Sequence, residues 1–354
     1  MHPARRLSKG NLIMRKIKVL IVDDSLVFRE MLSRGISTDP LIEVVSKAID
    51  PFDARDKILE YNPDVMTCDI EMPKMNGIEF IRRLIPQYPL PVVVVSSLSD
   101  TVFDALNAGA VDFVTKPNVQ SARDVEAFIN ELIAKIKIAS KAKVPNLIGQ
   151  SLTKVVDKGT LIEGKIIAIG ASTGGTEALF NILKTLHPQI PGIVVAQHIP
   201  PVFSKMFADR LNDTTQLRVK EAQTGDYVDQ GSVLIAPGGQ HMRLKKIGER
   251  YRVECFEGEK VNGHCPSIDV LFESVAKEVG EGAIGIILTG MGYDGAKGLL
   301  TMRRKGARTL GQDEKSSVVY GMPKVAFEIG AVERQIPLET MAQALVTLLR
   351  KRNG

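Results

Sequence analysis

The chain has 354 residues, 44% of them apolar and 25% charged, with a formal net charge of +5. That length suits two ordinary domains, each large enough to bury its own core. The small positive excess, part of it in Lys135, Lys137, Lys141 and Lys143, argues against nucleic-acid binding, and no apolar run approaches the roughly 20 residues that span a membrane.

The first stretch, "MHPARRLSKGNLIMRK", is basic and lacks the apolar core of a signal peptide. It reads either as a lead-in or as upstream of a start at Met14. Cys68, Cys255 and Cys265 form no CxxC pair and cannot all be bridged, which fits a reducing cytosol, so a cytoplasmic protein without membrane insertion is expected.

From Lys16 onward, β-rich runs alternate with amphipathic helical stretches. The strands are "IKVLIVDD", "IEVVSKAI", "DVMTCDI", "PVVVVSS" and "VDFVTKP"; helices include "SLVFREMLSRGI", "FDARDKILEY" and "GIEFIRRLI". Five βα units predict a parallel, doubly wound sheet over residues 16–137. The last helical stretch fades into lysines and then "VPNLIGQ", which marks a linker over 138–160.

A second alternation fills residues 161–350. Its strands read "KIIAIG", "GIVVAQH", "SVLIAPGG", "YRVECFEG" and "AIGIILTG", with helices near 176–186, 202–212, 268–279 and 295–304. "VLIAPGGQHMRLKK" followed by "YRVECFEG" reads as a hairpin set into an otherwise parallel pattern, so a sheet of mixed direction is expected. The fold class is α/β: two doubly wound domains, the second mostly parallel with a hairpin insertion. The closing "ETMAQALVTLLRKR" is one amphipathic helix, too little for a helix-turn-helix.

In a parallel sheet, ligands bind at the carboxyl ends of the strands. In the first half those ends carry Asp23 and Asp24, then Asp69, Ser96 and Lys116. Carboxylates crowded in one crevice raise one another's pKa unless a cation is present. Oxygen-only ligands at a phosphate site favour Mg²⁺. One carboxylate can then accept a phosphoryl group while the metal and Lys116 neutralise its charge. A cis Lys116–Pro117 bond would aim the lysine inward.

In the second half, Gly170-Ala171-Ser172-Thr173-Gly174 fits two turns: a phosphate cradle, or the G-x-S-x-G turn that presents a serine nucleophile. A dinucleotide cradle needs an acidic residue at the end of the next strand, but "GIVVAQHIP" ends in His198. A serine nucleophile needs a base and a carboxylate. His198 is a candidate base and His241, also after a strand, its competitor. Asp294 follows another strand end and is either the carboxylate or a helix cap. His187 reads as a loop residue and His264 as a cap or rim residue.

The stretches "LIVDDS", "CDIEMPKMNGIEF", "VVVVSS" and "GAVDFVTKP" together resemble the receiver domain of two-component response regulators. The resemblance implies that Asp69 is the phospho-acceptor, with a sensor histidine kinase as donor. It also implies that Asp23, Asp24, Asp69 and the Glu71 carbonyl serve Mg²⁺, with Ser96 as switch hydroxyl and Lys116 on the phosphate. Asn76 stands where that family often has Asp, at a loop position without chemistry.

"AIGASTGGTEAL", "VVAQHIP", "LIAPGGQHM", "HCPSIDVLF", "ILTGMGYDGAKGL" and "SSVVYGMPK" resemble the catalytic domain of chemotaxis protein-glutamate methylesterases, the CheB family. That resemblance implies a triad of Ser172, His198 and Asp294, Thr173 beside the nucleophile, and the Met291 amide as oxyanion donor. It implies demethylation of glutamate γ-methyl esters on chemoreceptor cytoplasmic helices, deamidation of receptor glutamines, and no cofactor for the esterase step. Cys265 stands where relatives usually carry a basic residue.

Overall fold

Runs such as "VVVVS" and "IIAIGA" show no polar alternation, which suits only strands covered on both faces. The computed structural model, which describes residues 15–97, 101–118, 121–144 and 164–350, places them at the centres of two sheets. The N-terminal half runs β1 (Ile17–Val22), α1 (Leu26–Ile36), β2 (Ile42–Ala48), α2 (Pro51–Tyr61), β3 (Val65–Asp69) and α3 (Gly77–Leu84). It continues β4 (Val92–Ser96), α4 (Thr101–Asn107), β5 (Asp112–Thr115) and α5 (Ala122–Ala139). The strand order β2-β1-β3-β4-β5 is parallel throughout, so the chain reverses its winding between β1 and β3.

Short polar side chains start the helices where the sequence changes period. Ser25 accepts the Phe28 N–H at 3.3 Å, Asp50 the Phe52 and Asp53 N–H groups at 3.0 and 2.9 Å, and Asn76 the Glu79 N–H at 2.8 Å. Asn76 is therefore an N-cap. The α5 helix extends two residues into the segment expected as linker (Ile138 and Ala139), and linker residues 145–160 lie outside the described residues.

The C-terminal half runs β6 (Ile166–Ala171), α6 (Gly175–Leu183), β7 (Ile193–Gln197), α7 (Phe203–Thr214), β8 (Arg218–Glu221) and β9 (Ser232–Ile235). There follow β10 (His241–Ile247), β11 (Arg250–Phe256), α8 (Ile268–Glu278), β12 (Ala283–Ile287) and α9 (Ala296–Arg304). The chain closes with β13 (Arg308–Gln312), α10 (Met322–Glu328), β14 (Arg334–Ile336) and α11 (Leu338–Leu349). The order β14-β13-β12-β6-β7-β9-β8 is parallel at every pairing, which corrects the expected mixed direction. The hairpin exists, but β10 and β11 form a separate antiparallel ribbon beside α8. Its partner "SVLI" is β9 of the main sheet. The first strand, β6, lies between β7 and β12, so the carboxyl ends of these three strands meet at the switch in winding.

The two halves share buried apolar packing. Phe113 of β5 lies 4.6 Å from the Phe203 ring of α7, and Phe103 of α4 stacks on Phe207 at 5.6 Å. Among the described residues no helix is long and apolar enough to cross a membrane.

Candidate active site

The carboxyl ends of β6, β7 and β12 deliver Ser172, His198 and Asp294 to one place. Gly174 takes φ 75° to turn the chain from β6 into α6, and a Cβ on Gly175 would meet Gln197 Oε1 at 2.3 Å. Buried Gln197 donates to the Ser172 carbonyl at 3.0 Å and the His198 carbonyl at 3.1 Å, tying the serine's turn to the end of β7. A Cβ on Gly290 would sit 2.6 Å from Ser172 Cβ, so only glycine lets the loop after β12 come this close.

Ser172 Oγ lies 3.1 Å from His198 Nδ1, and His198 Nε2 lies 2.8 Å from Asp294 Oδ2. The ionised carboxylate takes the Nε2 proton, so Nδ1 presents its lone pair to the serine. Asp294 is 1% exposed and collects four further donors. They are Asn262 Nδ2 at 2.8 Å, Ser267 Oγ at 2.8 Å, and the Ile268 and Asp269 amides at 2.7 and 3.3 Å. Burial opposes its ionisation, but the His198 bond, Asn262 and the Ile268 amide outweigh burial and hold the carboxyl well below the usual carboxylate range. Asp294 thus caps α8 and not the helix that follows it, whose N-cap is Gly295.

The other histidines sort themselves by partner. His241 Nδ1 accepts the Ser267 N–H at 3.2 Å and Nε2 donates to the Glu259 carbonyl at 2.9 Å, so both nitrogens are occupied by backbone. His187 accepts an exposed loop amide. His264 is no cap: its ring stacks on His198 with centroids 3.6 Å apart and planes 9° from parallel. Burial, and then His198, push its pKa down to about 4, so the ring is neutral at neutral pH. His264, Asn262 and Ser267 escaped the sequence reading; the only local signal was the Asn-Gly pair of a tight turn. The Met291 N–H has no partner among the described residues. Cys265 is half-buried, with its carbonyl on the Gly239 amide at 3.1 Å.

In the N-terminal half, Asp23, Asp24 and Asp69 place ligand oxygens within 4.8 Å of one another. Lys116 Nζ reaches Asp69 Oδ2 at 2.6 Å and Asp23 Oδ2 at 3.2 Å; the Lys116–Pro117 bond is trans, so the inward aim needs no cis peptide. Burial raises the Asp23 carboxyl above its ordinary range, with Lys116 opposing and Asp69 adding. Burial also works against the Lys116 charge, yet Asp69 and Asp23 together lift its pKa. Ser96 Oγ is buried without a hydrogen-bond partner among the described residues. Glu71 is exposed, its N–H on Asp69 Oδ1 at 3.3 Å.

The N-terminal half covers the serine. Thr173 Oγ1 donates to Asp112 Oδ2 at 2.7 Å, and Lys135 Nζ holds Asp112 Oδ1 at 2.9 Å. Arg210 of α7 pairs with Asp104 of α4 at 2.8 Å, and Lys143 N–H reaches the Val318 carbonyl at 2.8 Å. Between the halves a cavity of about 20 Å³ remains over Ser172 and His198, closed by Leu106, Asp112 and Phe113, with room for about one water.

A family model described as CheB methylesterase matches residues 167–345, and one described as response regulator receiver domain matches residues 19–127. The protein-glutamate methylesterase/protein-glutamine glutaminase 2 of Syntrophomonas wolfei is 60% identical over 338 residues, covering 96% of this chain and 99% of that one. Its counterpart from Syntrophotalea carbinolica is 51% identical over 349 residues, with 96% and 99% covered. The crystal structure of the Thermotoga maritima CheB methylesterase catalytic domain matches with a TM-score of 0.51 at 38% identity, covering 53% of this chain and all of that one.

Proposed function

Since the chain belongs to the CheB methylesterase family, we propose that it is a phosphorylation-activated protein-glutamate methylesterase and protein-glutamine glutaminase of chemotaxis signalling. In this reading a receiver over 16–137 and a linker over 138–160 precede a catalytic domain over 161–350. The observation that carries it is the continuous chain Ser172 Oγ, His198 Nδ1, His198 Nε2, Asp294 Oδ2 at three adjacent strand ends.

Ser172 Oγ attacks the γ-ester carbonyl of a chemoreceptor glutamate while His198 Nδ1 takes its proton. Asp294 stays ionised and stabilises the imidazolium. The free Met291 N–H faces the developing oxyanion, with Thr173 beside the nucleophile. His198 returns the proton to the departing methoxide, and methanol leaves. Water, deprotonated by His198, then hydrolyses the acyl-serine to a free glutamate carboxylate. With a glutamine side chain, ammonia leaves in place of methanol. The esterase step needs no cofactor, and the substrate is the cytoplasmic helices of receptors, met by a cytoplasmic enzyme.

In the receiver, Asp69 accepts the phosphoryl group from a sensor histidine kinase. The all-oxygen set of Asp23, Asp24 and Asp69, with the Glu71 carbonyl, fits Mg²⁺, which would supply charge neutralisation there. Ser96 and Lys116 then turn to the phosphoryl oxygens. Lys116 follows the last residue of β5 and Asp112 is its first, so one short strand links the phosphorylation pocket to the Thr173 contact. Phosphorylation weakens that contact and uncovers Ser172. Methanol release from methylated receptor membranes, with and without a small-molecule phosphodonor, tests the whole reading. Wild-type protein should release methanol faster with the donor, and Ser172→Ala should release none.

A further inference from the structure

Beside the acid of the triad the chain makes a tight reverse turn. Val261 and His264 exchange two N–H to carbonyl bonds of 3.0 Å, and both central residues have positive φ, 53° at Asn262 and 85° at Gly263. Those are the angles of a type I′ turn, in which Asn and Gly are the favoured pair. Here Asn262 does more than tolerate the backbone. Its amide nitrogen lies 2.8 Å from Asp294 Oδ1 and 2.8 Å from Asp269 Oδ2. A side-chain amide has two N–H protons, so its donor capacity is fully used by two carboxylates.

Both acids are buried, Asp294 at 1% and Asp269 at 5% exposure. Asp269 is anchored in turn, its Oδ1 accepting the Gly298 N–H at 2.7 Å. Two carboxylates this near each other repel unless donors lie between them. Burial, opposed by the Gly298 amide and reinforced by Asp294, lifts the Asp269 carboxyl above its ordinary range. The other charged or titratable groups facing the cluster are His198 and His264 from the loops, Lys260 before the turn, Glu273 on α8 and Lys297 on α9.

We propose that Asn262 is a positioning residue for the reaction: by donating to Asp269 and Asp294 together, it holds the Asp294 carboxylate in the plane that receives His198 Nε2–H. The same turn sets His264 on the face of the His198 ring, so one four-residue element braces both acid and base. The reading rests on the proposed Ser172 chemistry and adds a residue that never touches substrate.

Asn262→Gly is the sharpest test, because glycine satisfies a type I′ turn while removing the fork of donors. With the phosphodonor-activated full chain, kcat/KM for methanol release should fall about tenfold to a hundredfold, the range for one hydrogen bond to a charged group. The acid limb of the rate profile should move to higher pH, because an Asp294 carboxylate with fewer donors favours the imidazolium more strongly. Adding Asp269→Asn removes one of the two facing charges and should restore part of both effects. A second readout needs no substrate: the low-field proton resonance of the His198 N–H bonded to Asp294 should shift or broaden in Asn262→Gly. If Asn262→Gly folds with unchanged rate profile and unchanged resonance, the assignment is wrong. If it does not fold, Asn262→Asp, which keeps the turn's shape but has no N–H, takes its place with the same expectations. A wild-type protein that released no methanol would refute the esterase reading, whereas the resonance would still decide the role of Asn262.

Discussion

Asp112→Ala should raise the activity of the unphosphorylated enzyme. Asp112 is the point where the receiver grips the residue next to the nucleophile, accepting Thr173 Oγ1 at 2.7 Å. The same substitution strips Lys135 of its partner at 2.9 Å, but that ion pair lies within the receiver and is lost equally in docked and undocked forms. It costs fold stability and cancels from the docking equilibrium. What remains is one partly buried hydrogen bond to a carboxylate. In isolation such a bond contributes about 1.5–3 kcal/mol, and since both groups regain water on undocking, about 1–2 kcal/mol is the expected bias. That corresponds to roughly a 5- to 30-fold larger open fraction where the closed form dominates. The assay is methanol release from methylated receptor membranes without phosphodonor. The basal rate should rise by that factor, the further gain from phosphodonor should shrink, and the fully activated rate should stay within about twofold of wild type. A folded Asp112→Ala protein with an unchanged basal rate would refute gating through this contact. By contrast Arg210→Ala, which removes a half-exposed pair with Asp104, should raise the basal rate only a few-fold at most.

Ser172→Ala and His198→Ala should each cost several orders of magnitude in ester hydrolysis, and the double variant little more, because the groups act as a unit. His241→Ala should lower thermal stability, since it frees the buried Ser267 amide, while the folded fraction keeps most of its activity. Asp69→Asn should hold the enzyme at its basal rate whatever donor is supplied, and chelating magnesium should block labelling of Asp69 without touching the basal esterase rate. For His264, the folded pKa of about 4 lies below the free value of 6.5, so the unfolded chain binds the extra proton. Its contribution is full above pH 6.5 and is lost as pH falls towards 4, so the drop in Tm between pH 7 and pH 5 should be smaller in His264→Phe.

Continuous apolar runs such as "VVVVS" and "IIAIGA" made the parallel sheets legible, because only strands covered on both faces tolerate them. Parallel strands put all their carboxyl ends on one side, so Asp23, Asp69, Ser96 and Lys116, and separately Ser172, His198 and Asp294, could be grouped from the sequence alone. The short strands β8, β13 and β14 were not legible. Strand β14 spans three residues, and β13 ends in a buried glutamine whose amide reaches Ser316 and Thr289, so neither shows a period. The choice between His198 and His241 lay equally beyond local pattern. Both follow an apolar run, and only the pairing of β7 beside β6, with β10 exiled to its own ribbon, separates them. Nor does any window of sequence join Asn262 to Asp294, 32 residues on, or Asp112 to Thr173, 61 residues on. Periodicity records which face of an element is buried, whereas the partner across that face is decided by the order in which strands and helices pack. That is why the sequence alone determined the two sheets and their reactive ends, while the tertiary structure decided what braces the triad and what covers it.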